Sequence, residues 1–330
     1  MGKSSKDKRD IYYRKAKEEG WRARSAFKLL QIDDSFDIFT GVKHVVDLCA
    51  APGSWSQVLS RKVYLPARDA GVKEEDLPKI VAIDLQPMAP IEGVVQLQGD
   101  ITSMAKVREI LSHFGDGRRA DLIVSDGAPD VTGLHDMDEF MQAQLILAGL
   151  TVATHVLKQG GAYVAKIFRG KDIGLLYAQL KLFFEEVTCA KPKSSRNSSI
   201  EAFVVCQGYC PPEGFEPGAL RRVLEQRAGG MLREDAGSQM AGTMKWPNAT
   251  VVPFVACGDL SGYDADMSYD LDAKRSDDKL GDGNDGAQLG DDRGNRAYTP
   301  LEPVAPPIAP PYKTAIALER ERAEARHGRK

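Results

Sequence analysis

An α/β fold, one sheet with helices on both faces, is the class this sequence predicts, and two observations carry it. Over the first 210 residues, short apolar runs alternate with segments of helical period, the order in which helices pack over a buried sheet. Most of those runs end in an acid, a Lys or a Gly, which crowds reactive and turn-forming residues at the places where strands stop.

The elements follow in order. Residues 21–31 (WRARSAFKLLQ) read as an amphipathic helix, and HVVDLCAAPG at 44–53 as an apolar strand running into a tight turn of small residues. A helix is expected over 54–62, then apolar strands at 79–87, 94–101 and 120–129. A long helix at 138–157 precedes a strand at 161–168, and a helix at 172–184 leads through the polar loop 191–199 into a strand at 200–209. From 211 onward Pro, Gly and Asp accumulate, and 273–297 has the composition of a flexible acidic loop. Three regions result: a basic segment over 1–20, a main domain over 21–210 and a partly disordered C-terminal extension over 211–330.

Composition narrows the function classes. Hydrophobic residues at 42% and charged residues at 28% suit a globular protein with ample core, and the net charge of -3 conceals strong asymmetry. Residues 1–30 hold ten Lys/Arg against four acids, or +6, whereas 259–296 hold eleven Asp against five Lys/Arg. Phosphate responds to local charge, so nucleic acid stays in view. Five scattered cysteines match no disulfide framework and suit a reducing, cytoplasmic setting. Cys206 and Cys210 are a possible half of a zinc site without a second half, so no metal is expected. The polar N-terminus and an interrupted apolar stretch at 145–157 predict neither signal peptide nor membrane span.

The chemistry gathers at two places. A buried strand that breaks at Ala50-Ala51-Pro52-Gly53 lets a ligand approach the backbone, and the absence of G-x-G-x-x-G favours a small nucleoside over a pyrophosphate. Asp84, closing the next strand, is placed for ribose hydroxyls, and Asp100 for an exocyclic amine; the bland alternative for each is a solvated loop acid. The second place is Asp126 with Lys166. An ammonium inside an apolar strand demands a partner, although a snorkelling lysine or an inert ion pair would satisfy the same pattern. Glu201 is an equal anomaly on a neighbouring strand. Lys28 sits on an amphipathic helix, where nothing local separates it from Arg22 or Arg24.

Seven blocks, RARSAFKLLQID, VVDLCAAPGSWSQVL, VAIDLQP, LQGDIT, LIVSDGAPDVTG, VAKIFRG and KPKSSRNSSIEAFVVC, occur in the order found in a known family. Over residues 5–210 the chain resembles the FtsJ/RrmJ-like RNA ribose 2'-O-methyltransferases. The resemblance implies a Rossmann-like, S-adenosylmethionine-dependent methyltransferase sheet and a catalytic group of Lys28, Asp126, Lys166 and Glu201. It also implies cofactor contacts at Gly53, Trp55, Asp84 and Asp100, with Asp126 at the methyl end. Residues 251–272 and 300–323 resemble the extension of the eukaryotic branch that methylates tRNA at the first anticodon-loop nucleotide and the wobble nucleotide, each with its own auxiliary subunit.

On that reading Lys166 is the base or proton-orienting group, Asp126 holds it, and Glu201 orients Lys28 and the target ribose. Positive charge stabilising the developing alkoxide is an alternative role for the same residues. RNA contacts are expected from Tyr12, Tyr13 and Trp21 among the basic residues, and from Lys191, Lys193 and Arg196. The insert at 64–79 and the acidic loop bear on partner surfaces. Competing classes are an rRNA methyltransferase and a non-catalytic RNA-binding scaffold. Of the extension, 251–258 is expected to pack on the main domain, residues beyond it to meet a partner, and the run from 312 to form a short amphipathic helix.

Overall fold

The computed structural model describes residues 10–115, 117–129, 135–170, 173–217, 252–260, 263, 265 and 266. Residues 1–9, the acidic loop 273–297 and the expected helix from 312 lie outside the described residues.

The chain enters through α1 (Ile11–Glu18) and α2 (Ala26–Phe36), then β1 (His44–Leu48) and α3 (Ser54–Leu59). A π-helical turn, Ser60–Tyr64, continues α3 into α4 (Leu65–Asp69). There follow β2 (Lys79–Asp84), β3 (Val94–Gln98), α5 (Met104–Phe114), β4 (Ala120–Ser125), α6 (His135–Val156) and β5 (Leu157–Phe168). The last elements are α7 (Ile173–Lys181), β6 (Phe184–Pro192), β7 (Glu201–Tyr209) and β8 (Phe254–Cys257). The sheet runs β3-β2-β1-β4-β5-β7-β6-β8, with β7 antiparallel to both its neighbours and the other pairings parallel.

The apolar runs arise because the central strands are buried on both faces. Val45 and Val46 point to opposite sides, as side chains along a strand must, and each enters a different core. Val46, Val81 and Ile123 pack with Ile110 of α5, Leu150 of α6 and Leu176 of α7. Val45, Ile80, Leu122 and Val164 pack with Leu29 and Ile32 of α2 and Trp55 and Leu59 of α3. A chain reversal in strand order between β1 and β4 opens the crevice at the strand ends where α/β sheets hold ligands.

Four departures from the sequence reading have physical reasons. The first amphipathic helix starts at Ala26 rather than residue 21, because residues 22–25 are drawn into a turn in which the Arg22 N–H donates to Gln57 Oε1 at 2.7 Å. The basic segment contains a real helix, α1, whose Asp10 cap accepts from the N–H groups of Tyr12 and Tyr13 at 3.0 and 3.3 Å. Helix α5 falls outside the sequence reading, and so does strand β6, whose FEEVTCAKP sets two adjacent exposed acids near its start and so breaks a two-residue alternation. By contrast, β8 joins the sheet edge beside β6, in line with the packing expected of 251–258.

Candidate active site

The turn after β1 is organised by β2. The Ala50 N–H donates to Ile83 O at 3.2 Å and the Ala51 N–H to Asp84 Oδ2 at 2.9 Å, while Asp84 Oδ1 accepts from Gln86 N–H at 2.7 Å. A carboxylate offers about four lone-pair directions, so Asp84 is held flat with acceptor capacity remaining. Gly53 adopts φ 99°, open to glycine at little strain. A Cβ there would lie 2.6 Å from Arg22 Nη1, whose guanidinium straps the turn by donating to Pro52 O and Pro90 O at 3.0 and 2.8 Å. Asp100 is exposed after β3 and accepts from the Thr102 N–H at 2.8 Å. The Trp55 indole is buried against Phe203 and donates to Ser25 O at 2.9 Å, so that side chain is spent on packing.

Two ammonium–carboxylate pairs lie side by side beyond this crevice. Lys28 Nζ sits 2.7 Å from Glu201 Oε1 and 2.8 Å from Oε2. Lys166 Nζ sits 3.1 Å from Asp126 Oδ1 and donates to the Asp126 carbonyl at 2.6 Å. Strand geometry explains the adjacency. Lys166 stands opposite Phe203 in the β5–β7 register, Glu201 is two residues from Phe203 and so on the same face, and α2 brings Lys28 Nζ to 5.7 Å from the Phe203 ring. Burial alone would raise the Glu201 carboxyl, but the Lys28 ammonium outweighs it and, with Lys166 and the Ser195 hydroxyl, holds the group at about 2. The Ser195 hydroxyl donates to Glu201 Oε1 at 2.7 Å.

Lys28, Asp126, Lys166 and Glu201 are thus brought together, and Gly53, Asp84 and Asp100 line up at the ends of β1, β2 and β3. Sequence reasoning missed three contributors. Asp47 lies inside β1 at 1% exposure, where burial, the Asp126 and Asp84 carboxylates, and an opposing 2.5 Å hydrogen bond from Ser56 leave its carboxyl raised to about 7. An acid in the middle of VVDL was the available signal. Gln142 of α6 is 2% exposed and its Nε2 donates to Gly127 O at 3.1 Å and to Lys166 O at 2.7 Å. Nothing in a helix pattern distinguishes it. Ser195 was visible only as part of a polar loop.

The expected RNA contacts need correction. Lys191 is buried, with Nζ donating to the carbonyls of Ser199 and Glu201, and desolvation lowers its pKa. Tyr12 packs against Phe27, and Trp21 donates to Glu19 Oε2 at 2.7 Å beneath the Arg61 guanidinium. Apolar rings among basic residues here serve the packing of α1 and the following turn. Lys193 and Arg196 keep partial exposure.

Residues 21–209 match the family described as FtsJ-like methyltransferase. The chain belongs to that family. A mouse protein named tRNA (cytidine(32)/guanosine(34)-2'-O)-methyltransferase is 57% identical over 320 residues, which cover 97% of this chain and 87% of the mouse protein. A protein of the same name from Schizosaccharomyces pombe is 52% identical, covering 97% of this chain and 98% of its own. An AdoMet-dependent rRNA methyltransferase from Aspergillus fumigatus is 40% identical over 218 residues, covering 65% of this chain and 26% of its own. In this FtsJ-like methyltransferase the paired lysines and acids therefore sit within the matched region.

Proposed function

We propose that the chain transfers the methyl group of S-adenosylmethionine to ribose 2'-hydroxyls of the tRNA anticodon loop, at the first loop nucleotide and the wobble nucleotide. The observation that carries this reading is the adjacency of the Lys28–Glu201 and Lys166–Asp126 pairs at a strand-end crevice, in a chain similar over 97% of its length to proteins named for that methylation. The rRNA alternative is less favoured because the similarity to the rRNA relative covers 65% of the chain. Two intact charge pairs count against a non-catalytic scaffold.

The donor set fits the cofactor. Asp84 retains acceptor capacity for ribose hydroxyls, Asp100 is exposed for an amine, and Asp126, just past the end of β4, is the acid paired with Lys166. Gly53 and Trp55 would contribute backbone only, since one lacks a side chain and the other has buried its indole. Bound S-adenosylmethionine supplies an electrophilic methyl on a sulfonium. The protein's share is to aim the hydroxyl and manage its proton. Lys166 Nζ, fixed by both the carboxylate and the carbonyl of Asp126, accepts or orients that proton. Lys28, fixed by Glu201, places positive charge where the oxygen becomes anionic.

Auxiliary subunits that direct the methylated position, and a cytoplasmic location, belong to the same proposal. Among the described residues no helix is long and apolar enough to cross a membrane. Ribose methylation of bulk tRNA and rRNA, with and without cell extract, tests the reading. Label confined to the two anticodon-loop positions and enhanced by extract is expected. Label in rRNA alone would replace the substrate, and cofactor binding without any transfer would favour the scaffold.

A further inference from the structure

We propose that the loop joining β6 to β7 is a binding site for a backbone phosphate of the RNA, and that the Asp266 carboxylate occupies it when RNA is absent. The inference rests on the reading of the chain as an RNA methyltransferase. Two donors of this loop converge on one carboxylate: the Asn197 N–H reaches Asp266 Oδ2 at 2.6 Å and the Ser198 hydroxyl reaches Oδ1 at 3.2 Å. A main-chain N–H with an adjacent hydroxyl is a donor set that phosphate oxygens accept without regard to base sequence.

The surroundings favour an anion. Arg24 and Arg196 both pair with the buried carboxylate of Asp10, and Lys193 adds another cation in the same loop. The position also suits a substrate strand. Ser195 of this loop holds Glu201, and Lys191 under it donates to Ser199 O. Glu201 is four positions on from Asn197, a span of at most about 14 Å, which one or two nucleotides can cover. A phosphate held at Asn197 and Ser198 would therefore flank a ribose placed at the lysine pairs.

Asp266 is suited to be a resident stand-in. It is exposed, as are Asn197 and Ser198, so a stronger anion can displace it. It belongs to the stretch 259–296 with eleven Asp against five Lys/Arg, an acidic segment attached to the protein whose substrate is acidic. Neighbouring contacts hold the segment across the N-terminal helix: Tyr12 Oη donates to Tyr263 O at 3.4 Å, Lys15 Nζ lies 5.0 Å from the Tyr263 ring, and Ala265 is 6% exposed.

The test measures affinity for unmodified tRNA and for an unrelated RNA of equal length, at low salt, with cofactor affinity as the control for integrity. Asp266→Asn keeps an acceptor for the Asn197 N–H and removes the charge. It is expected to raise affinity for both RNAs by about three- to tenfold with cofactor binding unchanged, because phosphate contacts are sequence-independent and charge-driven. Adding Ser198→Ala to that variant should reverse part of the gain. Unchanged or weaker RNA binding by Asp266→Asn would overturn the site and reduce Asp266 to a loop brace. The affinity readout stands apart from the position of methylation, so a failure of the anticodon-loop assignment would show in methylation mapping and leave this measurement decisive for the subsite.

Discussion

Asp47 occupies the middle of a strand, with Ala82 and Val124 beside it in the neighbouring strands, and this position makes its charge expensive. Its folded pKa of about 7 exceeds the ordinary 3.8, so between those values the native protein keeps a proton that the unfolded chain has released. Stability therefore falls as pH rises through that window and levels above it. Asp47→Asn removes this dependence, and urea denaturation should show the wild type losing about 3 kcal/mol relative to the variant between pH 5 and pH 8. Parallel curves would mean that Asp47 is not protonated in the fold. Asp84 carries a different expectation. Asp84→Ala removes both the free acceptor capacity and the anchor of the Ala51 N–H, so calorimetry should find S-adenosylmethionine bound more weakly by about 1 to 3 kcal/mol. Unchanged affinity would assign the ribose to another acid.

Among the elements, α6 does more than cover the sheet. Gln142 spans the exits of β4 and β5 by donating to Gly127 O and Lys166 O, and thereby fixes the backbone that carries Asp126 and Lys166. Gly127 also lets β1 and α6 close in, since a Cβ there would lie 2.8 Å from that of Cys49 and 3.0 Å from Leu145 Cδ2. Gln142→Leu leaves two buried carbonyls without this donor, and is expected to lower kcat by about tenfold or more with little change in cofactor Kd, because a small misplacement of the reacting groups is costly. Equal loss of binding and turnover would point to general unfolding instead. The elements also show what pattern reading reaches. Strands such as IVAID and DLIVS were legible because both faces are buried, and Lys166 and Glu201 because each charge interrupts such a run. Lys28 and Gln142 were not, since a lysine or glutamine on a helix is ordinary until the tertiary fold turns that side inward. Strand β6 hid behind Glu185 and Glu186, which are exposed at its start while Cys189 and Ala190 are buried.

At the scale of the molecule, the C-terminal extension completes the main sheet. β8 pairs with β6 from Cys189 to Pro192, the Lys193 N–H donates to Cys257 O at 2.6 Å, and the same chain reaches Asn197 through Asp266. The sequence reading expected partner contact beyond 258, but Tyr263 and Asp266 pack on α1 and the β6–β7 loop. A chain ended at residue 253 should expose β6 as a bare edge and loosen the loop that supports Glu201, lowering the thermal midpoint and methyl transfer together. An unaltered midpoint would show that β8 adds nothing to the sheet. In the proposed mechanism the paired lysines and acids act on the reacting oxygen while the strand-end acids hold the cofactor. The most direct test of this mechanism is the purified Lys166→Ala protein, supplied with tRNA and extract, measured for both cofactor affinity and anticodon-loop methylation. Affinity near that of the wild type and no detectable methyl transfer are expected, with Lys166→Arg failing likewise because guanidinium keeps its proton and differs in shape. Methylation by Lys166→Ala at the wild-type rate would contradict the mechanism.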